Sequence, residues 1–576
     1  MADTKQDVLD MLEELSKLTT LDEGDVQSFR VRAYESAARA VEGYAGDLGK
    51  LSAAELQKIE GIGKSTAAKI REQIEKGRVE KLEELRLEFP ATVVALLNVQ
   101  GLGPKGVLRL RAELGVESLE DLKRVIAEQK IRGLKGFGIK SEEKLAHTLA
   151  RMAEQGADRT PISVALPLAE RIVARLKEVP GVTFAGYCGS LRRFSETIGD
   201  IDVVVASTDA NAVMETVVAM PVVDRVLVRG DTKTSVITRR GTQVDVRVVQ
   251  QDQLGAAMLY FTGSKAHNVK LRMKAIARGW TLNEYALTEV ATGKVIAQKT
   301  EEEIYAALGM AFIPPVIRED MGEIEAAEKN ALPHRLDTIR GDFHVHTSVS
   351  GDGRSDLDDV IGAAKARGYR VIAITEHAEG TVSGVGREKL LEQRARLRAL
   401  QQKLGDSMTL LHGVELNIAA DGDLDYDLEF RREFDWCLAS VHDNFDLPRE
   451  KQTARVIKAM EDPTVRMIGH LSARMIGGRP PIELDMDQIF EAAERTGVAL
   501  EINGGLPRLD VSVEVLRRAR DRKVTFVLTS DAHHFSELER VRYAAMNAER
   551  AWVDPERVAN TWDDARLLEW ARLRRA

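Results

Sequence analysis

The stretch from Gly189 to Asp202 limits the fold of this chain more than any other. It reads Gly-Ser-Leu-Arg-Arg-Phe-Ser-Glu-Thr-Ile-Gly-Asp-Ile-Asp, and the apolar segments on either side of it predict two strands. Side chains alternate along a strand, so Asp200 and Asp202 lie on one face and can bind one metal, or two metals that share a ligand. Asp245, on a later segment with the same alternation, offers a third carboxylate. The three aspartates predict phosphoryl transfer with two divalent metals.

The residues that precede these aspartates are suited to phosphate. Gly189 and Ser190 offer a turn with backbone N–H groups and a hydroxyl, and Arg192 and Arg193 add guanidinium charge. An Asp-x-Asp pair alone is most often a solvated strand edge. Three carboxylates beside a phosphate-binding turn have little structural use, so the pattern favours a catalytic nucleotidyltransferase palm.

Gly-Ser-x-Arg-Arg followed by Gly-Asp-x-Asp resembles the family X DNA polymerases, a branch of the nucleotidyltransferase superfamily. The resemblance implies that Asp200 and Asp202 bind both metals. It implies that Asp245 binds the catalytic metal near the primer 3′-OH, with Mg²⁺ or Mn²⁺ as the ions. Arg247 would pair with Asp202 when the site is open.

The resemblance extends to a nucleotide site. It implies that Ser190 and Arg193 hold the β and γ phosphates of a dNTP, with Gly189 letting the backbone approach. The later run Tyr-Phe-Thr-Gly-Ser, followed by an asparagine, is the most specific family X signal in the chain. By resemblance, its aromatic pair packs against the incoming sugar, the asparagine reaches the new base, and an arginine lies near the template. The residues concerned are Tyr260, Phe261, Gly263, Asn268 and Arg272.

Length and composition narrow the class. At 576 residues the chain should hold several domains. The two cysteines, Cys188 and Cys437, cannot form a disulfide framework, which favours a reducing cytoplasm. Residues 1–18 are amphipathic and acidic rather than an apolar signal peptide, and we expect no membrane span. The net charge of −9 counts mildly against nucleic-acid binding, although local backbone and Lys/Arg contacts need no basic net charge.

Helical apolar spacing runs through the first 150 residues and is interrupted by three similar glycine turns. The copies are Ile59-Glu-Gly61-Ile-Gly63, Val99-Gln-Gly101-Leu-Gly103-Pro-Lys105 and a weaker Leu134-Lys-Gly136-Phe-Gly138. A single Gly-x-Gly before a helix is usually a tight turn, but the repetition resembles the helix-hairpin-helix motif. Its glycines let N–H groups at a helix N-terminus approach a DNA phosphate.

Phe29 to Tyr34, together with the first glycine turn, resembles the small N-terminal domain of family X polymerases, which binds the 5′ side of a gap. In some members, a lysine on the helix after this hairpin attacks the sugar of a 5′-deoxyribose phosphate. Lys69 occupies that position. A solvated helix lysine is the competing interpretation.

From residue 342, short apolar segments alternate with helical ones, as in a parallel α/β barrel. Seven strands are predicted, and six of them end in a metal-ligand residue type, where the chemistry of such barrels lies. The succession resembles the PHP (polymerase and histidinol phosphatase) domain. The nine candidate ligands are His344, His346, Asp352, His377, Glu415, His442, His470, Asp531 and His533.

This ligand set predicts about three ions, and mixed imidazole and carboxylate groups suit Zn²⁺ or Mn²⁺. Gly351 separates Ser350 from Asp352 where the family runs Ser-Asp-Gly, so Asp352 departs from the pattern. His412 and His534 are spare histidines, expected to be structural. Removal of 3′ nucleotides is the leading reaction, with cleavage at abasic sites or removal of 3′ phosphates as related options.

The expected fold class is multidomain α/β, with a helical helix-hairpin-helix N-terminal region, a nucleotidyltransferase palm with a mixed sheet, a thumb, and a C-terminal distorted (β/α)7 barrel. The predicted domains are a gap-binding region (1–90), helix-hairpin-helix fingers (91–155), palm (156–260), thumb (261–318), linker (319–340) and PHP phosphoesterase (341–576). The predicted activity is gap-filling DNA synthesis in repair with a 3′–5′ exonuclease. The expected partners are gapped or primer-template DNA and dNTP, with a monomer favoured. The alternatives are a DNA-end-binding scaffold with a structural metal barrel, or a nucleotidyltransferase on another substrate.

Overall fold

The computed structural model describes residues 4–44, 46–99, 101–154 and 159–572. The chain divides into two compact units. One comprises Met1–Thr160, Arg171–Val182 and Asp209–Arg247, and the other comprises Pro161–Glu170, Thr183–Thr208 and Val248–Ala576. No helix in the described ranges is long and apolar enough to cross a membrane.

The N-terminal part is helical, as the apolar spacing predicts. Leucines of the first helix, among them Leu12, Leu15 and Leu21, are fully buried and form the centre of a core to which the later helices contribute. The helices are α1 (Thr4–Glu23), α2 (Phe29–Gly43), α3 (Ala53–Leu56), α4 (Lys64–Lys76), α5 (Glu80–Glu88), α6 (Ala91–Ala95), α7 (Pro104–Leu114), α8 (Leu119–Ala127) and α9 (Ile139–Glu154).

The next segment contains the predicted palm. Its elements are β1 (Thr160–Pro161), α10 (Ile162–Lys177), β2 (Val182–Tyr187), α11 (Gly189–Arg192), β3 (Thr197–Ile198), β4 (Asp200–Ser207), α12 (Ala210–Val218), β5 (Val223–Arg229), β6 (Lys233–Thr238) and β7 (Gln243–Val249). In the first unit, β5, β6 and β7 form an antiparallel ladder in which Ser235 faces Asp245. In the second unit, β2 neighbours β4, the strand that carries Asp200 and Asp202.

The predicted thumb and linker follow. They contain α13 (Leu254–Thr262), α14 (Lys265–Ile276), β8 (Trp280–Leu282), β9 (Leu287–Glu289), β10 (Val295–Ala297), α15 (Glu301–Ala307) and α16 (Glu323–Glu328). The three strands form a small antiparallel sheet. The helix α16 lies inside the predicted linker and packs on α14, where buried Glu323 accepts a 2.6 Å hydrogen bond from His267. The predicted domain boundaries remain predictions, and the one at residues 155–156 lies outside the described residues.

The C-terminal part is a seven-stranded parallel sheet whose strands neighbour one another in chain order, as in the predicted barrel. Its elements are β11 (Gly341–Asp342), α17 (Leu357–Ala366), β12 (Val371–His377), α18 (Arg387–Leu404), β13 (Thr409–Asn417), α19 (Leu428–Arg431), β14 (Trp436–Ser440), α20 (Arg449–Glu461), β15 (Val465–Ile468), α21 (Met486–Thr496), β16 (Ala499–Asn503), α22 (Val513–Arg518), β17 (Phe526–Thr529), α23 (Val541–Arg550) and α24 (Asp564–Arg572).

The first and last strands are drawn together by a few specific contacts. A parallel bridge joins Val345 to Ala532 beyond the ends of β11 and β17. At the other end, the buried Asn560 amide bonds the backbone of both Gly341 and Leu528 at 2.7–2.8 Å. The barrel is therefore nearly closed although β11 and β17 are short.

Several predicted strands end earlier than expected. His344 and His346 follow β11, His442 and His470 follow β14 and β15, and Asp531 and His533 follow β17, so these side chains lie on the loops just after the strands. Loops at the carboxyl ends of parallel strands meet at one edge of a barrel. The prediction that the ligand residues gather at this edge is therefore unaffected.

Candidate active sites

The turn after β2 has a geometry that only glycine satisfies. Gly189 has φ +61°, and a Cβ at this position would lie 2.4 Å from Oδ2 of Asp202. The Cys188 N–H donates to the Asp202 carbonyl at 2.7 Å, which fixes the turn against β4. The turn that carries Ser190 is thus tightly packed beside one of the three aspartates.

Two arginines leave this turn in different directions. Arg192 forms a buried ion pair with Glu301 at 2.6 Å and donates to the Thr262 hydroxyl at 2.7 Å. Arg193 donates to the Thr262 carbonyl at 2.5 Å and lies 3.4 Å from Glu319. Both arginines therefore have partners within the protein, and the phosphate role of Arg193 stays a prediction.

The predicted nucleotide-selecting residues lie close to Arg193. A Cβ on Gly263 would be 3.3 Å from the Arg193 guanidinium. Tyr260, 41% exposed, meets Phe261 edge to face at 5.2 Å between ring centroids. Asn268 donates to the Tyr260 carbonyl at 2.7 Å. Exposed Arg272 lies one turn further along the same helix, with Nε 3.4 Å from the Asn268 carbonyl.

The third aspartate has a partner that the sequence did not reveal. Lys233 on β6 lies 2.9 Å from Oδ2 of Asp245, and Gln243 donates to Oδ1 at 2.9 Å. Burial raises the pKa of Asp245, but the hydrogen bonds from Lys233, Gln243 and Ser235 outweigh it and hold the pKa below the ordinary value. The carboxylate is thus kept ionised beside a cation. Lys233 reaches Asp245 diagonally between β6 and β7, two positions from Ser235, the residue directly opposite Asp245. Spacing along the chain does not predict a diagonal contact between two strands.

The three glycine turns of the N-terminal part share one backbone conformation. Gly61, Gly101 and Gly136 have φ of +92°, +92° and +89°. In each copy an N–H donates three residues back at 2.9–3.1 Å, and the second glycine lies immediately before α4, α7 or α9. The third copy, weaker in sequence, has the same geometry as the other two. Lys105 is exposed on the first turn of α7, beside the free N–H groups of that helix.

Lys69 lies on α4 behind the first of these turns. Its ammonium donates to the Ser65 hydroxyl at 2.8 Å and lies 5.8 Å from the ring centroid of Tyr34. Burial, reinforced by Arg30 and Lys81 against the opposing effect of Glu72, lowers the pKa of Lys69 below its ordinary value. A lowered pKa is what an amine nucleophile needs.

In the C-terminal barrel, the candidate metal ligands are brought together. Four overlapping groups each place their ligand atoms within 4.8 Å of one another, and eight of the nine predicted residues belong to them. The groups are His346 with His377 and His533, His344 with His346 and Asp531, His344 with Glu415 and His470, and His377 with Glu415 and His442.

Glu415, fully buried, is the centre of the cluster. Its Oε1 lies 2.9 Å from His470 and 3.2 Å from His442, and its Oε2 lies 2.8 Å from His377 and 3.4 Å from His344. Asp352 is outside the four groups but lies 3.3 Å from His377 and 3.5 Å from His533. The shifted Asp of the Ser-Gly-Asp sequence therefore reaches the cluster.

The donor set fits divalent metals. Buried ring nitrogens of His344, His346 and His442 and both oxygens of Glu415 have no hydrogen-bond partner among the described residues. Burial lowers the pKa of His377, but Glu415 and Asp352 raise it to about 10. Buried carboxylates that stabilise positive charge, beside buried imidazole nitrogens without hydrogen-bond partners, are typical of a metal site.

Sequence reasoning missed two residues beside the cluster. Buried Glu501 accepts from His344 Nδ1 at 2.6 Å and from the Thr529 hydroxyl at 2.6 Å, so it fixes the orientation of that imidazole. Arg508 has Nε 3.6 Å from Asp531. Glu501 lies on β16, and the alternation of side chains along this strand, which points Glu501 inward, was the available signal.

Three further histidines, His267, His412 and His534, lie outside the ligand groups. His412 is buried and stacks on Phe434 at 4.7 Å between centroids, and His534 accepts at the start of a short helical turn. His267 is fully buried between Glu323 and the Tyr305 hydroxyl, 2.8 Å away. All three have structural contacts.

Comparison with known proteins agrees with this division of the chain. Residues 3–79 match the family described as helix-hairpin-helix domain, and residues 93–151 match the SAM-like helix-hairpin-helix tandem. Residues 257–319 match the DNA polymerase beta thumb, and residues 342–505 match the PHP domain. Together with the barrel and its histidine cluster, these parts define the class: a multidomain enzyme that acts on phosphoester bonds of nucleic acids.

A relative is similar over nearly the whole chain. It is the DNA polymerase/3′-5′ exonuclease PolX of Bacillus subtilis (strain 168), 36% identical over 560 residues, which are 96% of this chain and 97% of that protein. The chain belongs to the bacterial family X DNA polymerases that carry a C-terminal PHP domain. Its C-terminal part is also similar to a protein named "Probable phosphatase" from Shewanella sediminis (strain HAW-EB3), 30% identical over 235 residues, 39% of this chain and 91% of that protein.

Proposed function

We propose that this chain is a DNA-directed DNA polymerase that fills short gaps during repair, and that its PHP domain is a metal-dependent 3′–5′ exonuclease. The observation that carries the proposal is the near full-length similarity to a protein named for both activities. The histidine and carboxylate cluster of the barrel is the candidate site for the exonuclease, and the three predicted aspartates with the turn at Gly189 are the candidate residues for the polymerase.

In the polymerase site, Asp200, Asp202 and Asp245 would hold two Mg²⁺ or Mn²⁺ ions, because an all-carboxylate donor set suits these hard cations. Such ions neutralise phosphate charge and activate the primer hydroxyl. The turn at Gly189 presents the backbone and hydroxyl of Ser190 to the triphosphate, and Arg193 adds positive charge.

The remaining residues of this site select the nucleotide. Tyr260 and Phe261 pack against the sugar and exclude a 2′-hydroxyl, and Asn268 contacts the edge of the new base. The closeness of these residues to one another supports the assignment, because Asn268 donates a hydrogen bond to the Tyr260 carbonyl and Gly263 lies against Arg193. Arg272, exposed on the same helical face, contacts the template strand.

In the PHP site, we propose about three Zn²⁺ or Mn²⁺ ions, since the overlapping groups mix imidazole with carboxylate. These ions would activate water and neutralise a phosphodiester. His344, His346, His377 and Glu415 are buried and bridge the groups, while His533 and Asp352 are the more exposed members that a DNA end would meet first. Removal of a 3′ nucleotide is the proposed reaction, with abasic-site cleavage and 3′-phosphate removal as related ones.

DNA is held at its backbone by the glycine turns. Gly61, Gly63, Gly101 and Gly103 present helix N-termini to phosphates, and Lys105 adds a cation. This explains how a chain of net charge −9 binds a polyanion, because the contacts are local. We propose a monomer that works in the cytoplasm on gapped or primer-template DNA.

A 5′-deoxyribose phosphate lyase activity is a second candidate, favoured by the lowered pKa of Lys69. A lowered pKa increases the neutral fraction of the amine, and the neutral amine attacks the sugar aldehyde to give a Schiff base with loss of water. Borohydride should then trap the wild-type protein on DNA with a 5′-deoxyribose phosphate, but not a Lys69→Ala variant. Equal trapping of both would exclude Lys69.

The proposed function is tested with a 5′-labelled primer that faces a one-nucleotide gap with a 5′ phosphate. With Mg²⁺ or Mn²⁺, the protein should add one dNTP far faster than the corresponding NTP, and without dNTP it should shorten the primer. Equal use of NTP would favour a nucleotidyltransferase on another substrate. Binding without extension or shortening would favour the scaffold alternative.

A further inference from the structure

Phe194, which follows the phosphate-binding turn, has a backbone that its residue type disfavours. Its φ is +59°, in the left-handed region, and its side chain is 1% exposed. A residue with a Cβ adopts this conformation only when surrounding contacts hold it there. The next residue, Ser195, closes the same turn by donating its N–H to the Ser190 carbonyl at 3.0 Å. The conformation of Phe194 therefore helps to set the position of Ser190.

The contacts that hold Phe194 come from α23, far along the chain in the predicted PHP domain. Arg550 Nη1 donates to the Phe194 carbonyl at 3.0 Å, and Arg550 is 8% exposed. The Tyr543 ring stacks on the Phe194 ring, with centroids 5.7 Å apart and planes 16° from parallel. One helix of the C-terminal part thus supports both the backbone and the ring of this residue.

The same arginine is linked to Arg193 through one carboxylate oxygen. Oε1 of Glu319 lies 3.1 Å from Arg550 Nη2 and 3.4 Å from Arg193 Nε. Glu319 is 24% exposed and Arg193 16%, so solvent screens these charges only in part. The guanidinium predicted to bind the triphosphate is therefore one of two cations that share Glu319.

A second arginine of the PHP part fixes the other end of the segment. Arg474 donates from both Nη atoms to the Glu196 carboxylate at 2.9 Å each. The Glu196 carbonyl in turn accepts from the Ile162 N–H at 3.0 Å. A bidentate pair of this kind fixes orientation as well as distance. Residues 194–196 are held by the PHP part at both ends.

The shared carboxylate has a consequence for nucleotide binding. A triphosphate that binds Arg193 takes this arginine away from Glu319. If Arg193 were the sole partner of Glu319, the partly buried carboxylate would then be left without a compensating charge. Arg550 removes this cost, because Glu319 keeps a partner when Arg193 turns to phosphate. Without Arg550, Glu319 would hold Arg193 alone and oppose the substrate.

We propose that Arg550, from the PHP part of the chain, is a positioning residue for nucleotidyl transfer: it shares Glu319 with Arg193, so that Glu319 keeps a cation when Arg193 binds phosphate, and it keeps the turn at Phe194 in place. Arg550 thereby sets the affinity for the nucleoside triphosphate. The inference rests on the proposed function, since it takes Arg193 as a phosphate ligand. The PHP domain would then support the polymerase site through Arg550, in addition to its own proposed exonuclease activity.

The test uses the full chain and an Arg550→Gln variant. Glutamine keeps a polar, uncharged side chain and removes the charge that pairs with Glu319. In steady-state gap filling, the KM for dNTP should rise about tenfold with kcat changed less than about threefold, the size expected for one charged hydrogen bond. Adding Glu319→Gln to this variant should bring the KM back to within about threefold of wild type, because the competing carboxylate is gone.

The matched control is Arg495→Ala, which removes an exposed arginine paired with Glu461 at 2.7 Å in the same part of the chain. It should leave the KM for dNTP unchanged. A KM within twofold of wild type in Arg550→Gln, a loss confined to kcat, or a KM rise that Glu319→Gln does not reduce would each overturn the inference. If the wild-type protein adds no dNTP at all, the proposed function fails instead, so the two failures are distinguishable.

Discussion

Gly189 carries the tightest steric requirement of the polymerase site. The left-handed φ of +61° disfavours any side chain, and the 2.4 Å approach of a Cβ to Asp202 would displace a proposed metal ligand. The steric requirement involves only this turn, so a substitution at Gly189 should affect the nucleotide site and leave the rest of the fold unchanged.

A Gly189→Ala substitution should lower the rate of dNTP addition by about 100-fold, since small misplacements of reacting groups have effects of this size. Single-turnover primer extension measures it. Gly293→Ala is the control, because Gly293 has φ +71° but nothing described within 4 Å of its Cβ position. Extension by Gly189→Ala within threefold of that control would contradict the account.

Glu501 acts at one remove from the metal cluster. It orients His344 through a 2.6 Å hydrogen bond to Nδ1, which leaves Nε2 directed at Glu415 and Asp531. Substitutions of such outer groups weaken metal binding by about 10- to 100-fold.

A Glu501→Gln variant should therefore lose metal at chelator concentrations that leave the wild-type protein loaded. Metal content after dialysis against a chelator series measures this without reference to activity. Glu483→Gln, at an exposed position, is the control. Equal retention of metal by Glu501→Gln and wild type would show that the hydrogen bond does not support the site.

At the scale of elements, the glycine turns can be tested one helix at a time. The helix α7 has a left-handed glycine at each end: Gly101, φ +92°, in the turn before it and Gly115, φ +65°, after it. Alanine strains the backbone at both positions, but only the N-terminal end offers free N–H groups to a phosphate.

Gly101→Ala should raise the Kd for gapped DNA by about fivefold, whereas Gly115→Ala should not, because the strain is similar but only the first alters the phosphate contact. Fluorescence anisotropy at several salt concentrations measures the affinity and its salt dependence. Equal Kd values for the two variants would indicate that DNA binds elsewhere.

A buried ion network joins the palm turn to the predicted thumb. Glu301 pairs with Arg192 at 2.6 Å and with fully buried Arg318 at 2.5 Å. Burial raises the pKa of Glu301, but Arg318 and Arg192 outweigh it and hold the pKa below the ordinary value of 4.5. The folded state is thus favoured by ionised Glu301 above pH 4.5, and this contribution is lost as pH falls through the lower folded pKa.

Glu301→Gln should reduce the free energy of unfolding at pH 7 by about 3 kcal/mol, because it leaves buried Arg318 and partly buried Arg192 poorly compensated. Its deficit relative to wild type should shrink once pH falls below 4.5, where the wild-type carboxyl protonates. Urea unfolding across pH measures both effects, with exposed Glu302→Gln as control. A deficit that is constant across this pH range would contradict the pKa assignment.

Over the whole molecule, the sequence predicted the features that depend on local patterns of residues along the chain. The α/β alternation predicted the barrel, and the positions of His377 and Glu415 at strand ends predicted that they meet. The strand ends at His346 and His470 were placed too late, because an apolar run does not show where strand pairing stops. Lys233 beside Asp245 and Glu501 beside His344 were missed.

The missed contacts share a physical origin. Arg550 and Glu319 are 231 residues apart, and Arg474 and Glu196 are 278 apart. Ion pairs between distant elements leave no periodicity in the chain, and arginine and glutamate are common surface residues. Only the assembled fold identifies which of them meet beside the nucleotide site.

We infer that one chain holds two separate active sites, and variants that inactivate one site at a time test this. Asp245→Asn and His344→Ala are compared with wild type on a 5′-labelled gapped primer, with and without dNTP. We expect the first variant to shorten the primer without extending it, and the second to extend the primer without shortening it. Loss of both activities in either variant, with its fold intact, would contradict two separate sites.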